Sequence, residues 1–130
     1  MPRNGQSPKP TDAECTILDA IWQRGSATVR EVFEDIQSQR AMGYTSVLKF
    51  MQIMTEKGLL TCDKSVRPQV YKARQSQQQT QRNLVRDLVD RAFQGSPGNL
   101  ALQALSLKKS SPTEIRRIRE LLDRLEGDVA

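Results

Sequence analysis

A chain of 130 residues, 37% hydrophobic and 27% charged, can close one modest core plus an appendage, but not two full-sized cores. It contains no histidine, the commonest general base and metal ligand, and it has no Gly-rich phosphate loop or nucleophile elbow. No enzyme activity, cofactor or metal site is therefore expected, and no apolar run approaches the ~18 residues of a membrane span.

The opening stretch MPRNGQSPKP has no apolar h-region and is expected to be a flexible arm over residues 1–10, not a signal peptide. Cys15 and Cys62 stand alone, outside any metal-ligand spacing, so reduced thiols in the cytoplasm are expected. Thr11-Asp12-Ala13-Glu14 has the T-x-x-E capping pattern. It opens a helix whose apolar stripe is Ile17, Leu18, Ile21 and Trp22, running to Gly25. Thr28 to Glu31 repeats the pattern ahead of Val29, Val32, Phe33 and Ile36, and AMG at 41–43 is expected to break that second helix.

YTSVLKFMQIMTEKGLL, residues 44–60, reads as a third helix that opens near Thr45 and stops at Gly58. At 100° per residue, Val47, Phe50, Met51 and Met54 share one face, with Leu48 at its edge. Thr45, Ser46, Lys49, Gln52, Ile53 and Glu56 fall on the other. Residues 59–63 and 69–73 then read as strands around a turn at 64–68, and Pro68 limits the pairing to a hairpin edge.

Charge is uneven along the chain. Arg24, Arg30 and Arg40 against Asp12, Glu14, Asp19, Glu31, Glu34 and Asp35 leave residues 11–40 at −3. Lys49, Lys57, Lys64, Arg67, Lys72 and Arg74 against Glu56 and Asp63 leave residues 44–74 at +4. Three short helices and a basic hairpin make a winged helix. Its third helix can enter a major groove while the hairpin reaches the flanking backbone. Thr45 and Ser46 are short enough to let the backbone approach, and Lys49 can meet a guanine edge or a phosphate. An ordinary solvated face would carry the same residue types; the agreement of charge, element order and hairpin favours DNA.

From residue 75 the composition turns Gln-rich. Ser76 to Gln79 fits a capping pattern, and Leu84, Val85, Leu88, Val89, Ala92 and Phe93 recur at helical spacing until GSPG at 95–98. Leu100, Leu102, Leu105 and Leu107 mark a short apolar segment. Ser111-Pro112-Thr113-Glu114 then opens a last helix with Ile115, Ile118, Leu122 and Leu125 on its seam. These three helices carry more apolar edge than they can bury among themselves, so packing against a second copy is expected. The alternative is that they fold back on their own winged helix. A homodimer would match a palindromic operator.

The stretches PTDAECTILDAIW, ATVREVFEDI, YTSVLKFMQIMTEKGLL, VYKA and SPTEIRRIRELLDRLE, in that order from about residue 10 to 126, resemble the penicillinase-repressor (BlaI/MecI/CopY) transcriptional regulators. After the arm at 1–10, the resemblance implies a mainly α fold with an N-terminal winged helix, at 11–74, and a helical dimerisation domain, at 75–130. It implies repression by a dimer seated on palindromic double-stranded DNA. Operator contacts carried over would be Thr45, Ser46, Lys49 and Gln52 on the third helix and Arg67 on the wing, with Tyr71 a core residue of the hairpin. Copper-responsive members carry C-terminal cysteine pairs; this tail has none, so metal sensing is not implied. Members responding to β-lactams are cut within the dimerisation domain, in a region corresponding roughly to LALQALSL. The Asn–Phe pair associated with that cut is absent here, which leaves a regulatory protease an open partner.

Two rival readings fit the same residues. A winged helix can serve as a protein–protein interaction module, and Cys15 or Cys62 could sense redox state. Neither cysteine has a resolving partner at close spacing, so structural thiols are expected.

Overall fold

The computed structural model describes residues 9–129, so most of the arm expected at 1–10 lies outside the described residues. The chain divides into two compact units, 1–85 and 86–130, with the division inside one helix.

In the first unit α1 (Asp12–Arg24), α2 (Val29–Ile36) and α3 (Tyr44–Lys57) are followed by the antiparallel strands β1 (Leu60–Asp63) and β2 (Val70–Ala73). Both expected capping boxes form. Thr11 and Glu14 bond reciprocally at the start of α1, Thr28 and Glu31 at the start of α2, each hydroxyl accepting an N3 N–H. α2 stops at Ile36, short of the expected break, because the N–H groups of Gln39 and Arg40 both turn back to the Ile36 carbonyl. The Gln37 amide then ties the Phe33 and Met42 carbonyls together, filling the space before α3.

Ile17, Leu18, Ile21, Val32, Ile36, Val47, Met51, Met54 and Leu60 are fully buried in a single core. Trp22, Leu48 and Phe50 pack at its edge, and the Trp22 indole N–H donates to the Gln75 carbonyl at 3.0 Å. Gly58 ends α3 in the left-handed region (φ 87°), and the Leu59 N–H reaches back to the Met54 carbonyl at 2.8 Å. This Schellman-type ending needs a residue without Cβ, and it turns Leu59 inward and leads straight into β1.

The hairpin register pairs Leu60 with Ala73 and Cys62 with Tyr71. Ala27, in the loop before α2, exchanges both backbone hydrogen bonds with Tyr71 (2.8 and 2.9 Å) and adds a third, one-residue rung. That rung was not legible in the sequence: SAT has no strand pattern, and its pairing is fixed by the packing of α1 on β2. It anchors the hairpin to the helices and holds Tyr71 in the core, as expected.

The second unit takes in the end of α4 (Gln77–Ala92), then α5 (Pro97–Leu107) and α6 (Pro112–Val129). The start of α4, in the first unit, is capped by Ser76, whose hydroxyl accepts the Gln79 N–H. Ser96, with Pro97 at N1, opens α5, and Ser111 and Glu114 form a reciprocal box on α6. Within the unit only Val89 is buried among the described residues. The expected surplus of apolar edge is therefore present: Leu88, Leu102, Leu105, Leu107, Leu121, Leu122 and Leu125 are all exposed.

Candidate nucleic-acid interface

α3 is two-faced. Val47, Met51 and Met54 have no exposed surface, whereas Thr45, Ser46, Lys49 and Gln52 are all exposed on the opposite side. Ile53 joins that outer face at 39% exposure, an apolar side chain among polar ones, while Phe50 turns inward against the core.

The helix start differs from the expectation in one respect that bears on chemistry. Gly43, not Thr45, occupies the N-cap, in extended conformation (φ −70°, ψ 158°), and no side chain caps the helix. Thr45 and Ser46 are thus the second and third helical residues, with hydroxyls not spent on capping. The first helical bond to Gly43 comes from the Val47 N–H at 3.1 Å. An uncapped first turn carries partial positive charge and outward N–H donors.

Arg67 stands apart from these four, exposed on the turn between β1 and β2. The turn is shaped by Asp63, whose carboxylate accepts both the Ser65 N–H and hydroxyl. These bonds, with Lys72 nearby, hold the Asp63 carboxyl below its ordinary range. Lys64, Val66 and Arg67 are left on the outside of the tip.

Not every cation in the basic segment is available. The Lys57 ammonium is 2.7 Å from the buried Glu14 carboxylate of α1, so it belongs to the scaffold. Arg24 bonds both Glu31 (2.9 Å) and Asp35 (2.6 Å) of α2, which depresses the Asp35 carboxyl and neutralises much of the acidic excess there. Arg30, which in sequence falls within the net-acidic residues 11–40, lies over the Tyr44 ring, 5.3 Å from its centroid. Tyr44 in turn meets Phe33 edge-on at 5.7 Å. No periodicity in the sequence signals this cross-helix stack.

The cysteines do not form a reactive site. Both are half-buried and unbridged, and the Cys15 thiol is pushed up by burial, then by Asp19, Asp12 and Glu14, which disfavours the thiolate. Among the described residues no group of side chains could hold a metal ion, and no helix is long and apolar enough to cross a membrane.

Three helices, a hairpin wing and a third helix with one buried and one polar, uncapped face define a winged helix-turn-helix protein of the DNA-binding class. The chain belongs to the penicillinase repressor family, whose pattern matches residues 10–124. It is accordingly a DNA-binding transcriptional repressor and not an enzyme. No curated protein sequence matches it. Among solved structures it is similar to the solution structure of the Bacillus licheniformis BlaI monomeric form in complex with the blaP half-operator. Identity is 22%, coverage 55% of this chain and 88% of that one, and the TM-score 0.49.

Proposed function

We propose that the chain represses transcription as a cytoplasmic homodimer on a palindromic operator, with one winged helix per half-site. Residues 11–74 act as the DNA-binding domain and 75–130 as the dimerisation domain. Thr45, Ser46 and Lys49 meet the major groove at the uncapped end of α3, Gln52 follows one turn later, and Arg67 takes a flanking phosphate from the wing. The observation that carries this reading is the exposed polar face of α3 set opposite a face with no exposed surface at all. The exposed leucines of α5 and α6 support the second copy.

The test is capture of genomic fragments by the purified chain at near-physiological salt, followed by sequencing. A palindrome with half-sites about one helical turn apart is the expected result. Lys49→Ala should weaken binding, and wild-type binding should fall steeply with salt. Uniform or absent recovery, with no salt dependence, would instead point to a winged-helix interaction module whose α3 face binds protein.

A further inference from the structure

Arg30 sits in the first turn of α2, among carboxylates it does not use. Glu34 lies one turn further along the same helix, the usual i,i+4 partner, yet Arg30 forms no ion pair among the described residues. Glu31 and Asp35 are both held by Arg24. The Arg30 guanidinium rests on Tyr44, and Tyr44 is the first residue of α3. A cation without a carboxylate is thus fixed at the end of α3 that carries Thr45 and Ser46. Stacking uses the flat face of a guanidinium and leaves its N–H donors free at the edge, in the fork that fits two phosphate oxygens. An arginine serving only solubility gains nothing from being held there. One that must meet a phosphate gains by losing its side-chain freedom before binding.

We propose that Arg30, stacked on Tyr44, clamps a DNA backbone phosphate beside the groove that receives α3 and so sets the angle at which α3 enters. This rests on the reading of α3 as the DNA-contacting helix. Phosphates are present in every sequence, so the clamp adds affinity and register, not base discrimination.

The test uses the full chain and a mixed-sequence duplex about three helical turns long, titrated over a range of salt concentrations. One phosphate contact contributes about 0.9 to the slope of log affinity against log salt. Arg30→Ala should therefore lower the slope by about that amount, and low-salt affinity by roughly tenfold. Arg30→Lys, which keeps the charge without the fork, should keep most of the slope and lose part of the affinity. Tyr44→Leu should weaken binding in the wild-type background but add little to Arg30→Ala, because the ring acts through the arginine. Lys49→Ala serves as the reference for α3. If it lowers the slope and Arg30→Ala does not, the clamp is overturned while the reading of α3 stands. If neither changes the slope, both fall together. A Tyr44→Leu loss that adds fully to that of Arg30→Ala would overturn the role of the stack.

Discussion

Lys57, in the last turn of α3, closes on Glu14 of α1 at 2.7 Å, and the same carboxylate oxygen accepts the Thr11 N–H at 2.9 Å. One buried oxygen thus completes the N-terminal cap of α1 and pins the far end of α3 to it. Lys57→Ala should leave that carboxylate without its cation and destabilise the fold by about 1–3 kcal/mol, discounted from a fully buried pair because Lys57 is a third exposed. Its salt slope on DNA should not change. Chemical denaturation paired with the DNA titration checks this. A reduced slope with unchanged stability would return Lys57 to the DNA face.

Tyr71 links the hairpin to Ala27 through its backbone and is buried, and its phenol is pushed up to about 12, by burial first and the neighbouring Cys62 side chain second. A raised phenol means the folded state prefers the neutral form. The stability this contributes is complete below the unfolded value near 10 and is lost as pH rises towards 12. Ultraviolet titration should show a tyrosine that ionises only as the fold opens. Tyr71→Phe should flatten the loss of stability between pH 10 and 12, and an equally steep loss in that variant would place its cause elsewhere.

What the sequence made legible follows from which signals are local. Capping boxes at Thr11 and Thr28 and the apolar stripes of α1 and α2 need only neighbours within a turn, and they formed as read. Ser76 gives half of its expected pattern, its hydroxyl accepting the Gln79 N–H while the Gln79 amide turns to Asn83. The two faces of α3 followed from its period alone. Long-range partners were not legible: the Ala27–Tyr71 rung, the Lys57–Glu14 pair and the Arg30–Tyr44 stack join residues 14 to 44 positions apart. Two of these changed the charge reading, removing Lys57 from the basic surface and bringing Arg30 beside α3. The shift of the α3 cap from Thr45 to Gly43 came from a local rule applied two residues too late. Thr45 has the right side chain for a cap, but the extended backbone it would need is found at Gly43.

Ile53 is the one apolar side chain on the outer face of α3, too exposed to matter much for the core. In a major groove its natural contact is a thymine methyl. Ile53→Ala should leave thermal unfolding nearly unchanged and cost about 1 kcal/mol of discrimination at a single operator position. Competition among operator variants that differ base by base would reveal that position. A uniform loss across all variants would mean that Ile53 acts through the backbone or the fold.

Leu121, Leu122 and Leu125 of α6 stand 46%, 51% and 50% exposed, and α5 carries leucines on opposite sides, with none of its residues buried. A helix apolar on all sides is stable only inside a larger assembly. If a second copy covers these faces, each leucine contributes about 1.5–3 kcal/mol on burial, and a lysine in its place must be desolvated without a partner. Leu122→Lys combined with Leu125→Lys should therefore convert a dimer to monomer at micromolar concentration, read by sedimentation equilibrium, and leave the winged helix folded. Binding to a single half-site should survive, whereas binding to the full palindrome should fall to what one half-site gives, because the second contact is no longer tethered to the first. A wild-type chain that sediments as a monomer would refute the dimer outright. A variant that remains dimeric would move the interface off α6.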